Sequence, residues 1–152
     1  MMKSAGNLFR LLVLMLFMAV GPAAAAAKWV SIPGNAVNMR AAPGTDAQVI
    51  WQVGRYYPLQ VVGSKGEWLK VRDFEGDGGW ILARLTSKTP TMIAKRPGVN
   101  IRKGPGKNYP IVRRAEYGQV FITRKKQGSW VRVELPEGKG QGWVDRSLLW
   151  GW

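Results

Sequence analysis

The 152-residue sequence contains no cysteine and no histidine. Without cysteine the chain has no disulfide and no thiol nucleophile, so its stability must come from packing. Without histidine it lacks the most common general base, and zinc sites of the Cys/His kind are excluded. Only nine residues are acidic, and no spacing among them predicts the facing carboxylates of a glycosidase. We therefore predict a protein that is not an enzyme and holds no cofactor.

Three of the nine acidic residues are spaced by two, at Asp73, Glu75 and Asp77. This spacing faintly resembles a calcium loop, but the twelve-residue pattern with its closing glutamate is missing. An acidic hairpin turn is the better interpretation, and we predict no metal site.

Long apolar runs are confined to the N-terminus. Lys3 and Arg10 precede the ten-residue run Leu11–Val20, and the alanines of Ala23–Ala27 offer Ala-x-Ala cleavage sites. This layout is typical of a secretory signal peptide. The run is about half of the ~20 residues that a membrane-spanning helix needs. We predict that residues 1–27 are a signal peptide cleaved within Ala23–Ala27, and that the mature protein is exported to the periplasm or the extracellular space.

The rest of the chain contains one pattern twice. Asn-x-Arg-x-x-Pro-Gly is followed in each copy by Gly-x-Trp-x-x-Val and then by Gly-Trp with Ile or Val. The two Asn-x-Arg arginines, Arg40 and Arg102, are 62 residues apart, as are Trp68 and Trp130. A repeat of this length decides the fold and the domain count together.

Each copy reads as short strands separated by glycine and proline. Pro-Gly favours a turn, because proline presets φ and glycine accepts a positive φ. Short strands between such turns are typical of a small barrel or sandwich. We predict an all-β protein with domains at residues 28–86 and 90–150, and the five-residue linker Thr86–Pro90 should hold them close together.

The three motifs in this order resemble the bacterial SH3-like domain family, and the resemblance covers nearly the whole chain after residue 27. It implies two tandem SH3-like antiparallel barrels of five to six strands each. It also implies an exported protein that binds cell-wall peptides or glycan. Such domains often accompany a lytic domain, and this chain shows none.

Positive charge is concentrated in the second copy. Residues 28–89 contain 8 basic and 5 acidic residues, whereas residues 90–152 contain 13 basic and 4 acidic residues. A field of this size attracts anionic polymers or surfaces, although a basic surface also keeps a protein soluble. We favour a functional patch for the second copy as a whole.

Candidate ligand residues combine this charge with aromatic side chains near loops. The resemblance places a groove between the Pro-Gly loop and the next hairpin turn, where we expect Arg124–Lys126 to lie. For Arg40 and Arg102 a structural role, bridging backbone carbonyls, is an equal alternative. For the repeated tryptophans, including Trp68 and Trp130, packing in the core or between strands is the favoured interpretation. The candidate ligand residues are Arg40, Tyr56, Tyr57, Arg102, Lys103, Tyr109, Tyr117, Arg124, Lys125 and Lys126.

Two functions from different classes remain. The first is an envelope binding module for peptidoglycan peptide or glycan, or for an envelope protein partner. The second is a charge-driven interaction protein for anionic polymers, including nucleic acid, that acts through the basic second domain. The predicted export signal argues against nucleic acid as the partner.

Overall fold

The computed structural model describes residues 26–152. The predicted signal peptide and its cleavage sites before Ala26 lie outside the described residues. Within residues 26–152 all regular structure longer than three residues is β-strand. The all-β prediction is therefore confirmed, and the strands form two separate antiparallel sheets.

The first sheet, called barrel 1, has six strands in the order β1-β4-β5-β6-β2-β3. A 3₁₀ turn, Ala83–Leu85, follows the last of them. The strands are β1 (Lys28–Ser31), β2 (Val37–Arg40), β3 (Val49–Val53), β4 (Pro58–Lys65), β5 (Trp68–Arg72) and β6 (Gly78–Leu82).

The second sheet, called barrel 2, repeats this order and adds a seventh strand, giving β13-β7-β10-β11-β12-β8-β9. Two 3₁₀ turns, Pro136–Gly138 and Arg146–Leu148, flank β12. The strands are β7 (Thr91–Ala94), β8 (Val99–Arg102), β9 (Ile111–Ala115), β10 (Val120–Gln127), β11 (Trp130–Glu134), β12 (Gln141–Asp145) and β13 (Leu149–Gly151).

Each barrel has its own apolar core, because alternate residues of its strands point inward. In barrel 1 the buried set is Val30, Ile32, Val37, Met39, Val53, Leu59, Val71 and Ile81. In barrel 2 it is Met92, Ala94, Val99, Ile101, Ala115, Phe121, Val131, Val133, Leu135, Val144 and Leu149. The repeated tryptophans lie on the middle strands β5, β6, β11 and β12. They are half-buried and belong to neither core, so the expectation of core packing is wrong for them.

Strand irregularities repeat together with the sequence. The register of β4 on β5 shifts between Val61 and Gly63, and that of β10 on β11 shifts at the equivalent residues Thr123 and Lys125. Another shift recurs at Met39 and at Ile101. A bulge bends its strand and fixes the register of the pair, so the two barrels share details of backbone geometry as well as strand order.

Two regions differ from the sequence-based expectation. The basic segment Arg124–Lys126 lies inside β10, and the hairpin turn comes later, at Gly128. The residues from Leu149 form strand β13, which pairs with β7 and which the sequence did not reveal. Among the described residues, no helix has the length and apolarity needed to cross a membrane.

Candidate functional site

The motif arginines brace the Pro-Gly loops. Arg40 Nη1 donates to the Ala47 carbonyl at 2.6 Å, and Arg102 Nη1 donates to the Tyr109 carbonyl, its equivalent, at 2.9 Å. Each loop is also closed by a backbone hydrogen bond, from Ala41 to Gln48 in barrel 1 and from Lys103 to Pro110 in barrel 2. This geometry matches the structural alternative weighed for both arginines.

Tyr109 folds back onto the Pro-Gly loop of barrel 2. Its ring lies where a Cβ on Gly104 would stand, and it also approaches Gly106. Glycine at these positions therefore lets the ring cover the loop, while 47% of the residue stays exposed. Arg102, Lys103 and Tyr109 are thus brought together on one loop.

The basic segment Arg124–Lys126 stands on an exposed stretch of β10. Arg124 Nε lies 2.7 Å from Glu134 Oε2 on the neighbouring strand, and this hydrogen bond lowers the pKa of Glu134. Partial burial, followed by the charge of Arg146, lowers the pKa of Lys126. Lys125 is exposed beside them.

The Pro-Gly loop and β10 of barrel 2 both approach the end of β12. Hydrogen bonds from the Ser147 hydroxyl and backbone amide lower the pKa of Asp145, and the charge of Lys107 in the Pro-Gly loop adds to this effect. Arg146 is next to Asp145 and acts on Lys126. The charge of Lys107 thus acts on Asp145, and that of Arg146 acts on Lys126, and the groove between the Pro-Gly loop and β10 stays a prediction.

Shallow pockets adjoin the motif tryptophans. In barrel 1 a pocket of about 280 Å³ is lined by Trp68 together with Asn38 and Arg40. In barrel 2 a pocket of about 310 Å³ is lined by Trp143 and Lys103. The motif residues of each barrel therefore frame an opening to solvent.

Tyr117 lies in the turn between β9 and β10 and contacts barrel 1. Its hydroxyl donates to Glu75 Oε1 at 2.5 Å, and its ring is 5.3 Å from that of Phe74. Tyr57 packs on the other side of Phe74, with ring centroids 6.2 Å apart. Burial, followed by the charge of Asp73, raises the pKa of Tyr57, and the hydrogen bond to Glu75 raises that of Tyr117. Tyr117 therefore joins the barrels, and Tyr57 packs within barrel 1 against the ring that Tyr117 contacts.

A second aromatic cluster ties the barrels together at β1 and β13. Trp29 meets Trp150 edge-on at 4.6 Å and stacks with Trp152 at 6.3 Å, with an interplanar angle of 11°. Ser31 in β1 also bonds to the linker, through Ser87 and the Thr89 carbonyl. The barrels are thus fixed to each other by contacts well beyond the linker peptide.

A cleft of about 290 Å³ lies where the β3–β4 turn of barrel 1 meets barrel 2. Arg55 and Tyr56 line it from barrel 1, and Arg113 and Lys139 line it from barrel 2. The Arg55 guanidinium stands 4.8 Å from the centre of the Tyr56 ring. Of these residues only Tyr56 was singled out from the sequence, since the others look like ordinary surface charges in isolation.

The acidic turn of barrel 1 is organised by Asp73. Its Oδ1 accepts hydrogen bonds from the backbone amides of Glu75 at 3.0 Å and Asp77 at 2.8 Å. Burial raises the pKa of Asp73, and these hydrogen bonds act in the opposite direction. The carboxylate oxygens of Asp73, Glu75 and Asp77 lie within 4.8 Å of one another. The turn geometry accounts for the spacing of the acidic residues, in line with the hairpin interpretation.

Models described as bacterial SH3 domains match residues 34–88 and residues 97–149. The chain is 23% identical over 131 residues to "Putative N-acetylmuramoyl-L-alanine amidase YrvJ" of Bacillus subtilis (strain 168), a match that covers 78% of this chain and 24% of that protein. It is 27% identical over 64 residues to "Probable cell wall amidase LytH" of Staphylococcus epidermidis, covering 42% of this chain and 22% of that protein.

The chain therefore spans about a quarter of the length of the curated relatives it matches. Among solved structures it is similar to the endolysin LysPBC5 CBD, with a TM-score of 0.31 and 18% identity over 82% of this chain and 93% of that one. It is also similar to NlpC2 from Trichomonas vaginalis, with a TM-score of 0.37 and 14% identity over 82% of this chain and 48% of that one.

Both matched segments coincide with the barrels described above, since residues 34–88 fall on barrel 1 and residues 97–149 fall on barrel 2. The repeated motifs, the shared strand order and the two family matches agree. The chain belongs to the bacterial SH3 domain family and carries two such domains in tandem.

Proposed function

We propose that this protein is a non-catalytic, exported binding module that docks to the bacterial cell wall. Its ligand is the peptide or glycan of peptidoglycan, or an envelope protein that lies against it. The observation that carries the proposal is the tandem pair of bacterial SH3 domains, which accounts for nearly all of the described chain. The relatives support it, because two of them bear the names of amidases and one name specifies the cell wall.

The basic surface of barrel 2 supports an anionic ligand. Of its 13 basic residues, only Arg124 and Lys139 form ion pairs with carboxylates within residues 26–152. Unpaired cations on one barrel produce a positive field that draws in carboxylates and charged glycans. We propose that the region around Arg102, Lys103 and Tyr109, together with Arg124–Lys126, provides this attraction.

Barrel 1 contributes fewer candidate ligand groups. Arg40 braces its loop and also lines the Trp68 pocket, so it can do both tasks. Tyr117 contacts barrel 1 through Glu75 and Phe74, and Tyr57 packs against the same Phe74 ring. We propose that these two tyrosines support binding by fixing the orientation of the barrels.

The charge-driven alternative, binding of anionic polymers including nucleic acid, predicts a different salt response. Counterion release makes such binding fall steeply as salt rises. Docking in which a groove adds shape-dependent contacts to the charge attraction also weakens with salt, but less steeply, and it persists at physiological salt. A titration of the protein with purified sacculi between low and physiological salt therefore separates the two functions.

The decisive experiment is a sacculus pull-down with the full chain and two triple variants. Changing Arg124, Lys125 and Lys126 together to alanine should weaken binding, because these exposed groups lie in the basic region of barrel 2, and it should leave the melting temperature unchanged. Changing Lys65, Arg84 and Lys88 to alanine removes the same charge from barrel 1 and should have a smaller effect on binding. Equal binding by all three proteins would contradict the proposed surface, and no binding by the wild type would contradict the function.

A further inference from the structure

The contact between the barrels is reciprocal. The β3–β4 turn of barrel 1 faces the β11–β12 loop of barrel 2, where Arg55 and Glu137 line one cleft. The β9–β10 turn of barrel 2 faces the β5–β6 loop of barrel 1, where Tyr117 bonds to Glu75. At the 62-residue offset Tyr117 is equivalent to Arg55, and Glu137 is equivalent to Glu75. The two halves of the interface are thus copies of each other, as in an isologous dimer.

The half that contains Tyr117 is filled. Phe74 stands between Tyr57 and Tyr117, with ring distances of 6.2 Å and 5.3 Å, and the Tyr117 hydroxyl is bonded to Glu75. These four residues form a contact between the two barrels, and the adjacent pocket of about 250 Å³ is lined by barrel 1 alone. We call this group the filled half.

The half that contains Arg55 is open. Pro136 stands at the position equivalent to Phe74, and Gln119 stands at the position equivalent to Tyr57. Both line the cleft of about 290 Å³. The smaller side chains leave a cleft that both barrels line, and we call this half the open half.

The open half carries an excess of positive charge. Arg55, Arg113 and Lys139 line it, against a single carboxylate, Glu137. Glu137 is bonded to Lys139 at 2.9 Å, which lowers its pKa, and the charge of Arg55 contributes to the same effect. Within residues 26–152 neither Arg55 nor Arg113 has an ion-pair partner, so both guanidinium groups are available to an anion.

Backbone strain is concentrated at the same cleft. In residues 26–152 only two residues other than glycine adopt a positive φ, Tyr56 at 64° and Glu137 at 62°, and both line the cleft. The equivalent of Tyr56 in barrel 2 is Gly118, which adopts the same region at 76° without steric cost. A bulky residue in this region is strained, and such residues cluster at ligand-binding sites. In this conformation the face of the Tyr56 ring contacts the Arg55 guanidinium.

From these observations we infer that the open half is a binding site for a short peptide that ends in a free carboxylate and a small apolar side chain. The guanidinium groups of Arg55 and Arg113 match a carboxylate, because their planar N–H groups can donate to both oxygens. Val120, Leu135 and Pro136 supply an apolar wall for the neighbouring side chain. The volume suits one or two small residues. Neither barrel alone contains this site, and it is separate from the basic surface proposed for wall docking.

The first test uses the full chain and a defined ligand pair, N-acetyl-Ala-Ala with a free carboxylate and its carboxamide. Calorimetry or NMR titration should show binding of the carboxylate, with the amide at least about tenfold weaker because a charge-assisted hydrogen bond is lost. Equal affinity for the two ligands, or binding of neither, overturns the inference. If inorganic phosphate displaces the peptide at equal concentration, the site is a general anion site and the peptide assignment is wrong.

Two neighbours on β9 provide a matched pair of variants. Arg113 lines the cleft, whereas Arg114 belongs to the opposite face of the strand and does not line it. Arg113→Ala should abolish the preference for carboxylate over amide, and Arg114→Ala, with the same change in charge, should preserve it. An equal loss in both variants would mean that the overall field binds the ligand, which contradicts a built site.

A filling variant tests the cavity itself. Arg55→Tyr combined with Pro136→Phe transfers side chains of the filled half into the open half. The double variant should lose peptide binding while its melting temperature stays equal or rises. Retained binding overturns the inference, and if the double variant does not fold, the Arg113 and Arg114 pair still decides. Sacculus pull-down of these variants is the control, since their binding there depends on the separate surface with Arg124–Lys126.

Discussion

At position 51 barrel 1 presents a tryptophan, and at the equivalent position 113 barrel 2 presents an arginine. The two strands that carry them pair in the same register, Trp51 with Met39 and Arg113 with Ile101. Trp51 is 53% exposed beside the acidic turn, whereas Arg113 faces the open half. The barrels thus keep the same backbone while their surfaces diverge.

This comparison separates residues that maintain the barrel from residues that are free to change. Both copies share the arginine that bonds to the Pro-Gly loop, the order of the strands and the positions of the bulges. The two barrels differ in their charge, in the aromatic side chains of their turns, and in the loop that is β5–β6 in barrel 1 and β11–β12 in barrel 2. These differing residues are concentrated where the barrels meet, so specific recognition should be sought among them.

The largest expected effect comes from emptying the filled half. Phe74→Ala removes the ring between Tyr57 and Tyr117, and because Phe74 is half-buried we expect a loss of about 2 kcal/mol, below the roughly 3–5 kcal/mol for a fully buried phenylalanine. Pro136→Ala, the equivalent change in the open half, should cost less than about 1 kcal/mol. Urea unfolding of both variants measures the difference. Equal costs would show that the two halves do not differ in packing.

A smaller effect is expected at the other aromatic contact. Trp29→Ala removes the contacts with Trp150 and Trp152, and aromatic pairs of this kind contribute about 0.5–1.5 kcal/mol each. We expect calorimetric unfolding to separate into two transitions, since the barrels then lose part of their coupling. Trp51→Ala, at an exposed tryptophan without an aromatic partner among the described residues, is the control and should leave a single transition. Two transitions in the control, or one in Trp29→Ala, would contradict this role.

The barrels were predicted well from the sequence, because each strand and turn is specified by residues that are close together in the chain. Short strands between glycine and proline turns were expected in both copies, and both copies form such sheets. Strand β13 was missed, because its three residues form a strand only through pairing with β7. Arg124–Lys126 was expected in a turn, since charged residues are frequent there, but the hairpin of β10 and β11 extends beyond the core.

The candidate sites between the barrels were less predictable, because no local sequence pattern indicates how the two barrels dock against each other. Tyr117 donates a hydrogen bond to Glu75, which is 42 residues away in the sequence and belongs to the other barrel. Arg55, Arg113 and Lys139 are ordinary surface charges in the sequence and become neighbours only across the interface. The one available signal was Tyr56, which stands where the other copy has glycine, and reading it required the alignment of the two repeats.

The smallest expected effect is a dependence of stability on alkaline pH. The pKa values of Tyr57 and Tyr117 are both raised in the folded protein, the first by burial and the second by its hydrogen bond to Glu75. Their contribution is complete below the unfolded pKa of about 10 and is lost as the pH rises through the folded values. Melting temperatures should therefore fall above roughly pH 10, and less so in Tyr117→Phe. Tyr109→Phe is the control, and a fall that is the same in all three proteins would exclude the filled half as its source.

The covalent link between the barrels has a consequence for how such an interface can evolve. In a dimer of separate identical chains, each substitution at the interface appears twice, so both halves must change together. Here Thr86–Pro90 joins two separately encoded copies, and a mutation in one copy leaves its counterpart untouched. The filled half can then keep the barrels in contact through Phe74 and Tyr117. The open half, with Pro136 and Arg55, is free to acquire a new ligand. Gene duplication followed by fusion thus permits an asymmetry that symmetric assembly forbids.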